Sequence, residues 1–168
     1  MEDNYIEFEL NNRKLKINKQ NPDDILMWKT HGGRGKLTNP FWNQIKIQIR
    51  KSDCYRIIHI KPKTYKLHRV NYYAHNQCWN IHDTSKDNFI DHENNIKINN
   101  HIENLRVVTN QENQFNRKAK GYYWYKQRQK WMARIKLNGK QKFLGLFVLE
   151  EDARTAYLEA KKIYHIIK

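Results

Sequence analysis

The stretch "DHENNIKINNHIENLRVVTNQEN", residues 91–113, decides how this chain is read. It holds two histidines, an aspartate directly before the first, and seven asparagines. Asparagine favours neither helix interiors nor strands, so such a crowd either marks turns or holds something in a fixed place. The apolar positions give the outline. "NFIDH" (88–92) and "NLRVVT" (104–109) read as two short strands that bracket an asparagine-rich loop. "TNQE" then sets Thr109 as an N-cap with Glu112 three residues on, the capping-box pattern. The predicted helix runs through "NQENQFNRKA" and ends before Gly121.

Strand, loop, strand and helix, with Asp-His on the first strand and an asparagine in the first helical turn, is a way to build a small metal site. Asp91 and His92 are neighbours, so on a regular strand their side chains point to opposite faces. One then binds a metal while the other works from a different side. Asn113, one position past the capping glutamate, can reach back toward the strands. Carboxylate and amide oxygens are hard ligands, suited to one Mg²⁺ or Mn²⁺ that keeps several waters. A neutral histidine beside such a metal is a suitable general base for water.

The segment resembles the HNH (ββα-metal) endonucleases, and in particular their phage and viral homing branch. "LHRV" (67–70) matches the upstream H-R-L/V element of that branch. The register of Asp91, His92, Asn99, Asn100, Asn104, Leu105, Thr109 and Asn113 matches the rest of its pattern. The three motif letters fall on His92, Asn104 and Asn113, the last an asparagine as in the homing branch. The resemblance implies that Asp91 and Asn113 bind one divalent metal and that His92 activates the attacking water. It implies that Asn104 braces the loop through backbone groups and keeps His92 oriented. His68 matches a family position that orients the site or contacts phosphate; a satisfied buried histidine is the alternative. The chain departs from the pattern at Glu93, Asn94, Asn95 and Ile96, where the family favours Ile-Asp-Gly-Asn. Asn95 can take the left-handed turn that glycine usually fills.

Past Gly121 the composition changes. Strands are predicted up to Phe147, with Trp131, Ala133, Ile135 and Leu137 on one face and Met132, Arg134 and Lys136 on the other. Asn138-Gly139 is the preferred type I′ hairpin dipeptide. Ala153, Ala156, Tyr157, Ala160 and Tyr164 form a helical apolar stripe suited to covering the sheet. Acidic Glu150, Glu151 and Asp152 at its start and Lys161 and Lys162 near its end suit the helix dipole. Between 121 and 142 stand Lys126, Arg128, Lys130, Arg134, Lys136, Lys140 and Lys142 with no Asp or Glu, interleaved with Tyr122, Tyr123, Trp124, Trp131 and Phe143. Cations on such a sheet supply phosphate contacts and a salt-dependent affinity. The segment resembles the plant ethylene-response-factor (Apetala) DNA-binding domain, whose three strands enter the major groove with a helix behind. That resemblance implies Arg134 and Lys136 facing DNA, with Gln141 and Phe143 across the hairpin. Arg128, Lys130, Lys142 and Trp124 complete the expected DNA-binding set. Leu149 stands where the family has a threonine cap.

The whole chain is consistent with this division. Its 168 residues carry 32 Lys plus Arg against 17 Asp plus Glu, a formal net charge of +15, with 12% aromatics and a mean hydropathy of −1.01. That excess suits a polyanion, nucleic acid before a lipid surface, and several small cores rather than one large one. Cys54 and Cys78 make no disulfide framework. With His75 and His82 they lack the paired spacing of a structural zinc site. The acidic start "MEDNYIEFELNNRK" has no apolar core, so no signal peptide is expected, and no apolar run reaches a membrane span. An intracellular location is the expectation. "THGGRGK" (30–36) lacks P-loop spacing, and "THGGRGKLTNPFW" reads as a loop or linker. "QIKIQIR" (44–50) reads as a strand; "CYRIIHI" and "TYKLHRV" read as a hairpin around Pro62, and "NYYAHNQCW" as one or two helical turns. The expected fold is α+β: residues 1–50 as a segment of uncertain fold, 51–119 as the HNH domain, and 120–168 as a three-stranded antiparallel sheet packed on one helix. The expected activity is metal-dependent hydrolysis of double-stranded DNA by a monomer or homodimer without a small-molecule cofactor. A DNA-binding protein or repressor with an inactive nuclease site is the alternative.

Overall fold

A computed structural model describes residues 4–32 and 35–167. The readings that fall on Met1–Asp3, Gly33 and Arg34, the chain start and the middle of the glycine-rich loop, lie outside the described residues. The protein is a mixed α+β chain with three α-helices and several antiparallel sheets among the described residues. It divides into two compact units. One comprises the described residues up to Ser85 together with Ile90–Val107; the other comprises Lys86–Phe89 and the described residues from Val108 onward.

The first unit opens with a four-stranded antiparallel meander, β1 (Tyr5–Leu10), β2 (Arg13–Asn18), β3 (Ile25–Gly32) and β4 (Gly35–Gln44), in sequential order. Asn11 and Asn12 join β1 to β2 with φ of 53° and 57°, the two positive values a type I′ turn requires. The turn sets a register that pairs Phe8 with Leu15 and Ile6 with Ile17 toward the core, and Glu7 with Lys16 and Glu9 with Lys14 on the other face. The loop expected around 30–42 is instead the pairing region of β3 and β4, with Trp28 opposite Trp42 and their rings 5.2 Å apart. Pro40 is tolerated there because β4 is an edge strand, where a missing N–H costs no ladder bond.

Next come β5 (Gln48–Ile49), β6 (Arg56–Ile60) and β7 (Lys63–Lys66) as a small antiparallel sheet, then α1 (Leu67–His75). The hairpin expected from "TYKLHRV" therefore gives way to a helix at Leu67. Tyr65 and Leu67 mimic the two-residue period of a strand. The buried set Leu67, His68, Val70, Asn71 and Ala74 has the three-to-four spacing of a helix, and that stripe wins because it lies on the core. Leu15, Ile17, Ile25, Ile60, Leu67 and Val70 are all fully buried in this core. Each is worth about 1.5–3 kcal/mol in burial. After α1, Ile81 packs into the same core. Then β8 (Phe89–His92) and β9 (Leu105–Val108) form a two-stranded sheet, with a short 3₁₀ turn (Ile102–Asn104) leading into β9.

In the second unit α2 (Asn110–Phe115) begins on the expected capping box. Glu112 N–H donates to Thr109 Oγ1 at 3.1 Å, and Thr109 N–H donates to Glu112 Oε2 at 2.8 Å. It ends at Phe115, four residues short of Ala119, the last residue of the expected helical stretch. β10 (Tyr122–Tyr125), β11 (Lys130–Leu137) and β12 (Lys140–Phe147) form an antiparallel sheet, and α3 (Glu150–Tyr164) packs on it. Asn138 and Gly139 take positive φ of 49° and 78°, as the dipeptide requires. Ile135, Tyr157 and Ala160 form the small core under α3, flanked by Tyr122, Leu144 and Tyr164. Gly121, at φ +65°, lies so near Tyr157 that a Cβ would fall 2.0 Å from a ring carbon. The first turn of α3 has no side-chain cap at Leu149, and three acidic residues there complement its dipole instead.

Candidate functional site

The loop between β8 and β9 is built by asparagine side chains acting as backbone partners. Asn104 does most of this. Its Oδ1 accepts from Asn94 N–H at 3.0 Å, its Nδ2 donates to Asn99 O at 2.8 Å, and its carbonyl accepts from Glu93 N–H at 2.9 Å. Asn94 Oδ1 in turn accepts from Ile96 N–H at 2.8 Å, and Asn95 sits at φ 62°, the left-handed position expected of it. The loop is thus locked without a glycine.

This loop holds His92 at the end of β8, 4% exposed, beside Asp91, 7% exposed. His92 Nε2 lies 3.0 Å from Asn100 Oδ1. That oxygen only accepts, so Nε2 carries the proton and the lone pair of the neutral ring is on Nδ1. Asn100 is itself fixed, its carbonyl accepting from Asn71 Nδ2 on α1 at 2.6 Å. His68, also on α1 and 3% exposed, meets the His92 ring edge-on, with centroids 4.8 Å apart. Tyr55 packs 5.0 Å from His68 and 5.9 Å from His92. Lys66 Nζ lies 4.0 Å from the centre of the Tyr55 ring and Lys97 Nζ 5.2 Å.

Burial pushes the His92 imidazole below its ordinary range; the Asn100 bond and the Asp91 charge oppose this, and Lys66 and Lys97 reinforce it. His68 is pushed well below, again chiefly by burial, with the charges of His92, Lys66 and Arg69 adding. Both rings are therefore neutral near pH 7.

Asp91 Oδ2 accepts from Arg106 Nε at 3.2 Å and from Nη2 at 3.1 Å, and Arg106 Nη1 lies 3.3 Å from Glu93 Oε1. The Arg106 guanidinium thus occupies the Asp91 oxygen that a hard metal ion would also use. Among the described residues no group of three or more His, Cys, Asp or Glu could hold a metal ion. Cys54 and Cys78 carry exposed free thiols.

The first unit thus brings together His68, Asp91, His92 and Asn104. Asn113 lies on α2, in the second unit. Asn100, Tyr55, Lys66, Lys97 and Arg106 were not singled out in roles by the sequence. The signal for Asn100 was present, because it belongs to the matched register; Lys97 and Arg106 lie in the same stretch with no spacing that marks a role, and Tyr55 and Lys66 reach the site from positions distant in the chain.

In the second unit the strand registers divide the expected DNA-binding residues between two faces. Arg134 stands opposite Phe143 and Lys136 opposite Gln141, so these four share a face, with Lys130 on the same side. Phe143 is 56% exposed. Lys142 stands opposite buried Ile135, on the α3 side, where its ammonium donates to the Tyr164 hydroxyl and lies 4.1 Å from the ring centre. Trp124 pairs with Trp131 on that same side, and Arg128 lies in the turn between β10 and β11. Among the described residues no helix is long and apolar enough to cross a membrane. Compared with family models, with curated proteins and with solved structures, the chain has no match.

Proposed function

We propose that this chain is a metal-dependent DNA endonuclease of the HNH kind, hydrolysing phosphodiester bonds in double-stranded DNA. The observation that carries the reading is His92: a buried, neutral imidazole whose Nε2–H is committed to Asn100, beside a carboxylate, on a loop braced by Asn104. In this reading His92 takes a proton from the attacking water at Nδ1. Asn100 fixes the tautomer and ring direction, and Asn104 keeps the loop from relaxing. Lys66 and Lys97, both near the Tyr55 ring, draw the phosphate toward the histidines. A divalent cation, Mg²⁺ or Mn²⁺, on Asp91 neutralises charge on the phosphate and on the 3′-oxygen leaving group. The HNH resemblance implies products with 5′-phosphate and 3′-hydroxyl ends. The exposed face with Arg134, Lys136, Gln141 and Phe143 serves as the DNA-binding surface in the Apetala-like manner.

Conversion of supercoiled plasmid with Mg²⁺ or Mn²⁺, wild type beside His92→Ala, tests this. Metal-dependent cutting by the wild type alone supports it, and open-circle against linear product separates a nicking monomer from a dimer that cuts both strands. A second reading, a DNA-binding protein that does not cut, is favoured by the Arg106 guanidinium on Asp91. It prevails if both proteins bind DNA and neither cuts a randomised target library.

A further inference from the structure

β10 pairs with β11 only as far as Tyr122 opposite Ala133, and the next amide, Arg134 N–H, donates to Gly121 O at 2.9 Å. Beyond that point, among the described residues, β11 is paired on its β12 side alone. A cavity of about 640 Å³ lies here, lined by residues of α2, of the β11–β12 hairpin and of α3. That volume falls within the roughly 300–1,000 Å³ typical of ligand pockets. Gln111 Nε2 of α2 donates to Asn138 Oδ1 at the hairpin tip at 2.8 Å, and Phe115 stacks flat on His165 with centroids 4.0 Å apart, so the walls are tied together.

The lining chemistry narrows the ligand. Arg134 and Lys136 supply two cations, and no acidic side chain lines the cavity among the described residues. Tyr123 contributes a ring that is 44% exposed, with the Arg134 guanidinium 5.9 Å from its centre. Gln114 and Gln141 contribute carboxamides, each offering a donor and an acceptor. A planar, hydrogen-bonding group attached to an anion satisfies all three. We infer that this cavity takes one unstacked nucleotide of a DNA strand, its base against Tyr123, its edge toward Gln114 and Gln141, and its phosphate on Arg134 and Lys136. A strand fits better than a free mononucleotide, because the 121–142 segment around the cavity has seven cations and no acidic residue. The inference rests on the nucleic-acid reading above and adds to it a site for a base out of the stack.

The test uses full-length His92→Ala protein, to prevent cutting, with a duplex carrying one extrahelical 2-aminopurine and the same duplex fully paired. The expected result is roughly tenfold tighter binding of the bulged duplex and quenching of the 2-aminopurine as it stacks. Gln114→Trp and, independently, Ala119→Trp should fill the cavity, abolish the preference and leave affinity for the paired duplex unchanged. Neither position is buried, so neither change disturbs a core. Equal binding of the two duplexes by the parent protein overturns the cavity inference and leaves the DNA reading standing. A preference that survives both tryptophans also overturns it. Failure to bind either duplex at low salt overturns both.

Discussion

His92 is buried, its ring nitrogen held by an asparagine that is itself held by a second, whereas Arg134, Lys136 and Gln141 stand exposed on a sheet face with no acidic neighbour nearby in sequence. The contrast separates two kinds of work. A general base needs one tautomer, one direction and a ring that is neutral at the working pH, all of which come from burial and fixed hydrogen bonds. A phosphate-binding face needs solvated charge at the right density, and it tolerates loose side chains. One region is therefore expected to fail abruptly when a single atom is removed, the other gradually.

His92→Ala should show the largest effect. Cleavage should fall by about 10²–10⁴-fold, the usual contribution of a positioned base, while affinity for paired DNA measured by anisotropy stays within a factor of about two. A parallel loss of binding would erase the contrast. Asn104→Ala removes both side-chain bonds that close the loop, and should lower the unfolding free energy by about 1–3 kcal/mol in denaturant titrations. Cleavage should fall with it at temperatures where the wild type is still folded. Retention of full activity would show that the brace is redundant.

On the other side, Arg134→Ala with Lys136→Ala should reduce the slope of log affinity against log salt by about two, near 0.9 per lost phosphate contact. Lys142→Ala, on the α3 side of the sheet, should change that slope least. An equal loss from Lys142 would mean that DNA meets the opposite face. The smallest effect is on pH. His68 and His92 both resist protonation in the fold, while the unfolded chain takes up protons near the ordinary value of about 6.5. The unfolded state thus binds more protons in acid, so stability is complete above that pH and declines below it. The slope is at most about 1.4 kcal/mol per pH unit for each histidine. His68→Gln should flatten the curve; an unchanged curve would assign the dependence to other groups.

The legible part of the sequence was local. The Thr109–Glu112 box, the Asn138-Gly139 turn and the α3 stripe each depend on a few adjacent residues, and each formed as expected. The misreadings occur where a local pattern has two solutions. Tyr65 and Leu67 fit a strand until Val70 and Ala74 are placed against the core. Asn11-Asn12 does not stand out as a turn, because asparagine is less emphatic than glycine in the left-handed region. In the site, Asp91 and His92 are legible from their register. Tyr55 and Lys66 are not, because they come from distant parts of the chain, and Arg106, though within the same stretch on the paired strand β9, has no spacing that marks it as the partner of Asp91.

The path of the chain between its two units has a practical consequence. It passes from one to the other three times, at 85–86, 89–90 and 107–108. No single cut at any of these points releases both units whole, since either Lys86–Phe89 or Ile90–Val107 remains on the wrong fragment. The protein is therefore a poor donor for cassette exchange at β8, the strand that carries His92. A swap of DNA-binding specificity by recombination is better made at 107–108, after which the chain no longer returns and α2 stays with its own unit.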